Sequence, residues 1–271
     1  MSKHRIGRRS MLQFAGSFSM VTLAAKAARA KDRSVSSVDT IENLPGNSPD
    51  LVEYSCNNAG VPISEKATRV SLLEDFNDYS SCEMTPRSFE GPYFYCGETP
   101  GKNIAVGQVG EPLILALRVV ESKNCTPITG AIVDVWHADA KGVYSGYDAD
   151  PDMPASQAAH LDPTNSDRWC RGALVVDEDG IAEFETVYPS YYLGRAIHIH
   201  YKIHLGNQSY VTNQTLLPET YNQSITSRPP YNIGRQSKRR LNSSEAKSGF
   251  DTLNIVKRDD RLVGTLTVVV E

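Results

Sequence analysis

The stretch GRAIHIHYKIH places two histidines, His198 and His200, two residues apart. In an extended strand residues i and i+2 share a face, so their Cβ atoms lie ~6–7 Å apart and the two rings can converge on one ion. The same spacing also describes the polar face of a half-buried strand. On that reading Lys202 and His204 share the histidine face, while Ile197, Ile199, Tyr201 and Ile203 turn to a core. His204 lies four residues beyond His200, ~13 Å along an extended strand, too far for a shared ion. A cupin-like site would add a Glu just after the pair, and none stands there.

The residues around the pair are more telling. TVYPSYYLGRAIHIH brings Tyr188, Tyr191, Tyr192 and Arg195 within ten residues of His198. VDVWHADAKGVYSGY contributes Trp136 and, eight residues on, Tyr144 beside a Gly-rich turn. Phenols are uncommon ligands because they must lose a proton whose ordinary pKa is about 10. A strongly Lewis-acidic ion such as Fe(III) can enforce that loss. A Tyr/His set with no Cys and no nearby Asp or Glu therefore favours ferric iron over zinc or calcium. The same gap disfavours a zinc-dependent hydrolase built on His198 and His200.

Positioning such a set requires strands. From Cys82 onward, short apolar runs alternate with Gly, Pro, Asn and Asp, the pattern of an all-β domain. Strands are expected at LILALRVV (113–120), GAIVDVWHA (130–138), GALVV (172–176), IAEFETV (181–187), AIHIHYKIHL (196–205), SYVTNQTLL (209–217) and VGTLTVVV (263–270). Asp177-Glu178-Asp179-Gly180 reads as a hairpin turn between two of them. Tyr147 to Asp167 is a long polar loop, and loops of that length in compact domains usually carry function.

Upstream of this domain the chain has a different character. Residues 1–30 begin basic with adjacent Arg8 and Arg9, continue apolar, and end in Ala28-Arg29-Ala30. That is the layout of a twin-arginine export signal. Its apolar run, interrupted by Gln13, Gly16 and Ser19, is too short to span a bilayer. An exported, periplasmic protein is expected, with no membrane association once the signal is removed. Residues 31–81 form a polar N-terminal arm with one short helix in SEKATRVSLLEDF. Without the first 30 residues, 28 basic residues fall to 22 against 32 acidic ones, a formal charge of −10. So acidic a chain is a poor partner for nucleic acid, and Lys238-Arg239-Arg240 reads as a solvated loop. Cys56, Cys82, Cys96, Cys125 and Cys170 allow two disulfides and one free thiol, in a pairing the sequence leaves open.

Taken together these motifs resemble one family. The order W-x7-Y, R-G, D-x-x-G, F-x-T-x-Y-P-x-x-Y-x-G-R-x-x-H-I-H is similar to that of the intradiol ring-cleavage dioxygenases. The exported single-domain branch of that family also carries a C-x-x-T-P…E-G-P-Y stretch, here CEMTPRSFEGPYFY from Cys82. The resemblance covers residues 82–271 and implies a catalytic β-sandwich with long loops, following a partly helical arm. It implies non-haem Fe(III) held by Tyr144, Tyr192, His198 and His200, with Tyr192 also acting as a base. Tyr192 is preferred to Tyr191 because the Pro-x-x-Tyr motif ends on it; Tyr191 and Tyr188 then fall to packing. Arg195 and Gln214 match substrate-facing residues, and Trp136 and Tyr147 are candidates for the pocket wall. The implied reaction joins a catechol-type substrate and O2 to give a muconate-type dicarboxylic acid. Relatives commonly form homo-oligomers, although this sequence shows no interface signal of its own. The competing reading is an exported β-sandwich binding module that keeps the fold and metal without ring cleavage. Where the family has an apolar residue before Arg-Gly, this chain has Cys170, and neither His137 nor His160 has a family role.

Overall fold

A computed structural model describes residues 71–76, 82–96, 99–152, 160–206 and 208–271. The export signal, most of the arm and Cys56 lie outside the described residues. In chain order the elements are α1 (Ser71–Asp75), β1 (Thr99–Pro100), β2 (Pro112–Glu121), β3 (Ala131–Trp136), β4 (Arg171–Val175), β5 (Ile181–Val187), β6 (His198–Leu205), β7 (Gln208–Leu216), α2 (Glu219–Thr226), a 3-10 segment (Asn242–Ser248), β8 (Asp251–Thr252), β9 (Asn254–Arg258) and β10 (Arg261–Val270). They form a β-sandwich. One sheet has the order β1-β4-β3-β6-β7-β8, and the other β5-β2-β10-β9.

Period-2 patterning sets what lies between the sheets. Leu113, Leu115, Leu117 and Val119 of β2 join Leu262, Leu266, Val268 and Val270 of β10. They meet Val133 and Val135 of β3 and Ile199, Tyr201 and Ile203 of β6 in a single apolar core. The IAEFETV expectation matches β5 at both ends, and the other six expected strands lie within two residues of those observed.

The Asp177–Gly180 turn is a correction. Asp177 Oδ1 accepts the backbone N–H groups of Asp179 (3.0 Å) and Ile181 (2.9 Å), so the turn itself is tight. The strands it joins do not pair, however: β4 pairs with β3 and β5 with β2, in opposite sheets. The turn is an arch over the core. Both strands have apolar inner faces, and facing sheets bury both of them, whereas a hairpin would leave β5 beside a sheet it does not belong to.

The alternative of a polar face on a half-buried strand does not hold for β6, because its histidine face is not solvated. All seven residues from His198 to His204 are buried. Segment 82–96 crosses the outer face of this sheet and covers it. Ser88 N donates to Thr212 O (2.7 Å), Lys202 pairs with Glu90, and the Lys202 ammonium lies 4.3 Å from the centre of the Phe94 ring. A disulfide from Cys82 to Cys125 ties the start of this segment to the loop after β2. Cys96 is also disulfide-bonded, and Cys170 is a buried free thiol. The β6–β7 ladder runs in register from His198↔Leu216 to Ile203↔Val211 and shifts between Ile203 and His204.

Residues 71–76 show that the end of the arm docks on the sandwich. Asp75 makes a bidentate contact with Arg258 of β9, with Nη2 at 2.6 Å from Oδ1, and Phe76 packs on Ala116 and Ile181. Arg239 departs from the solvated-loop reading, because it forms a two-oxygen pair with Glu219 at the start of α2 (2.9 and 2.7 Å). Lys238 and Arg240 are exposed.

Candidate metal centre

The centre grows from the register around β6. His200 stands opposite Trp136 of β3 on one side and Gln214 of β7 on the other. The Trp136 indole lies flat on the His200 ring, with centroids 4.9 Å apart and planes 12° from parallel. Tyr144 arrives from the turn after β3. There Asp139 Oδ1 accepts the N–H groups of Lys141 (2.8 Å) and Val143 (2.9 Å), while Gly142 adopts φ +87°. A Cβ at Gly142 would stand 2.1 Å from the Tyr191 carbonyl oxygen, so only glycine fits this close approach. Tyr192 arrives from the loop between β5 and β6. Its neighbour Tyr191 turns into the core and donates from its hydroxyl to Ser237 O (3.0 Å). Tyr188 does likewise to Asn222 Oδ1 (2.7 Å).

The four residues then meet. His198 Nε2 and His200 Nε2 face each other at 3.0 Å, and Tyr144 Oη lies 3.3 Å from His198 Nε2. The Tyr192 ring centre is 5.7 Å from that of His198 and 5.9 Å from that of Tyr144. His198 Nδ1–H donates to Ala196 O (2.8 Å), which leaves a lone pair on Nε2. One lone pair cannot serve two neighbours, whereas a cation placed between them can accept all three donors. Burial, then the Arg195 charge for His198 and the His198 charge for His200, hold both imidazoles far below their ordinary pKa. Both are thus neutral and able to ligate. Burial likewise raises both phenols, Tyr144 to well above its ordinary value. Such phenols ionise only with strong cationic help. Two neutral imidazoles and two reluctant phenols on one point fit a trivalent ion better than zinc.

Comparison with known proteins bears on the same residues. Residues 90–216 match a family model described as Dioxygenase. A solved structure described as an intradiol ring-cleavage dioxygenase from Tetranychus urticae is 33% identical, with a TM-score of 0.62 over 70% of this chain and 95% of that one. The chain belongs to the intradiol ring-cleavage dioxygenase family. It is also 33% identical over 112 residues to catechol 1,2-dioxygenase 1 of Acinetobacter lwoffii, covering 39% of this chain and 31% of that protein. The chlorocatechol 1,2-dioxygenase of Rhodococcus opacus is 30% identical over 127 residues, 42% of each chain. The chain therefore spans less than half the length of these curated relatives.

Against this intradiol background Arg195 is held by three side chains. Its Nε donates to Glu245 Oε1 (3.0 Å) and Oε2 (3.2 Å), and Nη2 to Glu245 Oε2 (2.9 Å) and Gln214 Oε1 (2.6 Å). Nη1 donates to Tyr192 Oη (3.1 Å). Burial alone would lower the guanidinium pKa, but the Tyr192 and Glu245 oxygens outweigh it and hold the group charged. Phe89 and Phe250 flank it, with ring centres 5.8 and 5.9 Å from Cζ. Gln214 is fully buried and steers Arg195, its own amide N–H donating to Phe89 O (3.2 Å).

Sequence reasoning missed Glu245, which sits on the 3-10 segment fifty residues from Arg195 with no local motif to mark it. It also missed Tyr93, stacked on Tyr144 with ring centres 4.7 Å apart. Tyr93 belongs to the E-G-P-Y motif, so its signal was present and unread. Gly91 of the same motif has φ +76°, and a Cβ there would stand 3.2 Å from His200 Cε1, so the covering segment runs close over the histidine.

Trp136 is buried between His200 and Phe94 (ring centres 4.7 Å apart). Tyr147 lies one ring further out, against Tyr93 at 5.0 Å, and donates to Leu161 O (2.9 Å). His137, which has no family role, makes structural contacts to Thr186 Oγ1 (2.9 Å) and Ala138 O (2.8 Å). His160 sits 3.7 Å from Asp162. His204 lies 3.7 Å from Asp134 and takes no part in the cluster.

Proposed function

We propose that the chain is a non-haem Fe(III)-dependent intradiol dioxygenase that cleaves a catechol-type ring with O2 to a muconate-type dicarboxylic acid. The observation that carries this reading is the convergence of Tyr144, Tyr192, His198 and His200 on one buried point beside a guanidinium. The names of the relatives, which act on catechols, support the substrate class. A ferric ion, which those four side chains would hold, would supply Lewis acidity toward a bound catechol.

The protein's own groups do the rest. The Ala196 carbonyl holds the His198 tautomer, and Trp136 keeps the His200 ring in plane. Tyr192 takes a proton from a substrate hydroxyl. Its burial raises the phenol pKa, so its anion is a strong base. Arg195 carries five N–H groups, of which Glu245, Gln214 and Tyr192 occupy four. The fifth, on Nη1 beside the Tyr192 oxygen, points to where negative charge develops on the substrate. Phe89 and Phe250 offer aromatic faces against which a ring can pack.

The test is direct. The purified protein should be reddish from tyrosinate-to-iron charge transfer, hold about one iron, and convert catechol to cis,cis-muconate under O2. A colourless protein with stoichiometric zinc overturns the proposal. A coloured protein whose band ignores anaerobic catechol supports the binding-module reading instead. Export by the twin-arginine route is also proposed, on residues 1–30 alone. Replacing Arg8 and Arg9 with Lys should keep the full chain inside an expressing bacterium.

A further inference from the structure

Glu245 holds two consecutive residues at once. Its Oε1 accepts both Arg195 Nε (3.0 Å) and the backbone N–H of Ala196 (2.7 Å), while Oε2 accepts Arg195 Nη2 (2.9 Å). The other end of each contact reaches the cluster. Arg195 Nη1 donates to Tyr192 Oη (3.1 Å), and the Ala196 carbonyl accepts His198 Nδ1–H (2.8 Å). One carboxylate on the Asn242–Ser248 segment is thus a single residue away from two of the four converging side chains. It is buried, at 8% exposure, where an unmatched charge would be costly.

The guanidinium has many rotamers and a planar fork. Left to itself it could turn any of its N–H groups toward the substrate. The two-oxygen grip on the Nε–Nη2 edge removes that freedom and leaves Nη1 as the edge that faces Tyr192. Gln214 caps Nη2 from the opposite side (2.6 Å). The charge of Glu245 also offsets that of Arg195, so the free N–H acts as a directed donor and not as a diffuse positive field.

We propose that Glu245 is a positioning residue, which fixes Arg195 so that its one unassigned Nη1 N–H meets the bound catechol. This rests on the proposed ring-cleavage activity. Because the donor matters where charge develops, its misplacement should act on turnover more than on binding.

The experiment compares wild type, Glu245→Gln, Arg195→Ala and the double variant as iron-loaded full chains, with catechol as substrate. Glu245→Gln is expected to keep iron content and the visible band, and to bind catechol anaerobically with a spectral shift like that of wild type. Its kcat should fall ~10- to 100-fold, the usual cost of a small misplacement, with KM within about threefold. In the Arg195→Ala background the same change should alter kcat by less than about twofold. An unchanged kcat in Glu245→Gln overturns the proposal, as does an equal loss with and without Arg195. Glu245→Asp, which keeps the charge and shortens the arm by one methylene, decides by the same criteria if Glu245→Gln does not fold. Wild type that cleaves catechol while the Glu245 variants behave identically sinks this inference alone. Wild type that does not cleave catechol removes the proposed function and this inference together.

Discussion

The two ends of one strand face show how little burial alone decides. His198 and His200 share a side of β6 with Lys202 and His204, and all four are at most 3% exposed. At the near end the neighbours are phenols, an indole and a guanidinium, with no carboxylate among the described residues against either imidazole. At the far end each basic side chain has its own acid: Lys202 pairs with Glu90, and His204 lies 3.7 Å from Asp134. At the far end the protein itself supplies a carboxylate beside each of these side chains. The near end holds neutral nitrogens and phenols that ionise only with cationic help, a donor set suited to a metal ion. The same backbone periodicity therefore yields a structural ion-pair cluster and a proposed metal centre, separated by which residues cover them.

That contrast can be broken at either end. The largest effect is expected at the near end, where His200→Ala should abolish stoichiometric iron and the visible band. Loss of activity should then be complete within detection, as metal analysis and oxygen uptake would show. Tyr192→Phe removes the proposed base, and kcat should drop ~10²- to 10⁴-fold, with an altered band wherever iron is retained. Tyr191→Phe removes a hydroxyl that donates to Ser237 O and should leave the band in place.

At the far end Lys202→Met strips Glu90 of its ammonium partner and should cost about 3–5 kcal/mol in urea unfolding. The iron content of the folded fraction should nevertheless match wild type. If Lys202→Met abolished the colour of a folded protein, the two ends would not be independent.

A smaller effect sharpens the comparison through His137, a fourth buried imidazole, whose ring nitrogens meet Thr186 Oγ1 and Ala138 O. Burial lowers its pKa to about 4 against an ordinary 6.5. The unfolded chain therefore binds the proton first, and stability contributed by neutral His137 falls as pH drops from about 6.5 toward 4. His137→Gln should flatten that part of the stability profile measured by denaturant titration, while leaving the colour unchanged.

The strands and the cluster were legible because their signals are local. Alternation in IAEFETV and AIHIHYKIHL marks strands, and ordered aromatic and histidine spacing marks the donors. What escaped depends on contacts distant in the chain. The arch at Asp177–Gly180 uses the residues of a hairpin turn, and only the pairing of β5 with β2 distinguishes the two. The histidine face looked half-solvated because its cover, residues 82–96, lies about a hundred residues upstream. Glu245 resembles any acidic residue on a polar stretch until the chain brings it to Arg195.

The slip in register between Ile203 and His204 has a consequence for how the chain can change length. A strand alternates faces, so one residue added before His200 would swap the histidines with Ile199 and Tyr201. The irregularity lies on the other side, between the histidine pair and the β6–β7 turn. Length differences that arise at this turn should be absorbed there, leaving His200 opposite both Trp136 and Gln214. An extra residue beside Gly206 should be tolerated with colour intact, whereas one inserted after Ile197 should not.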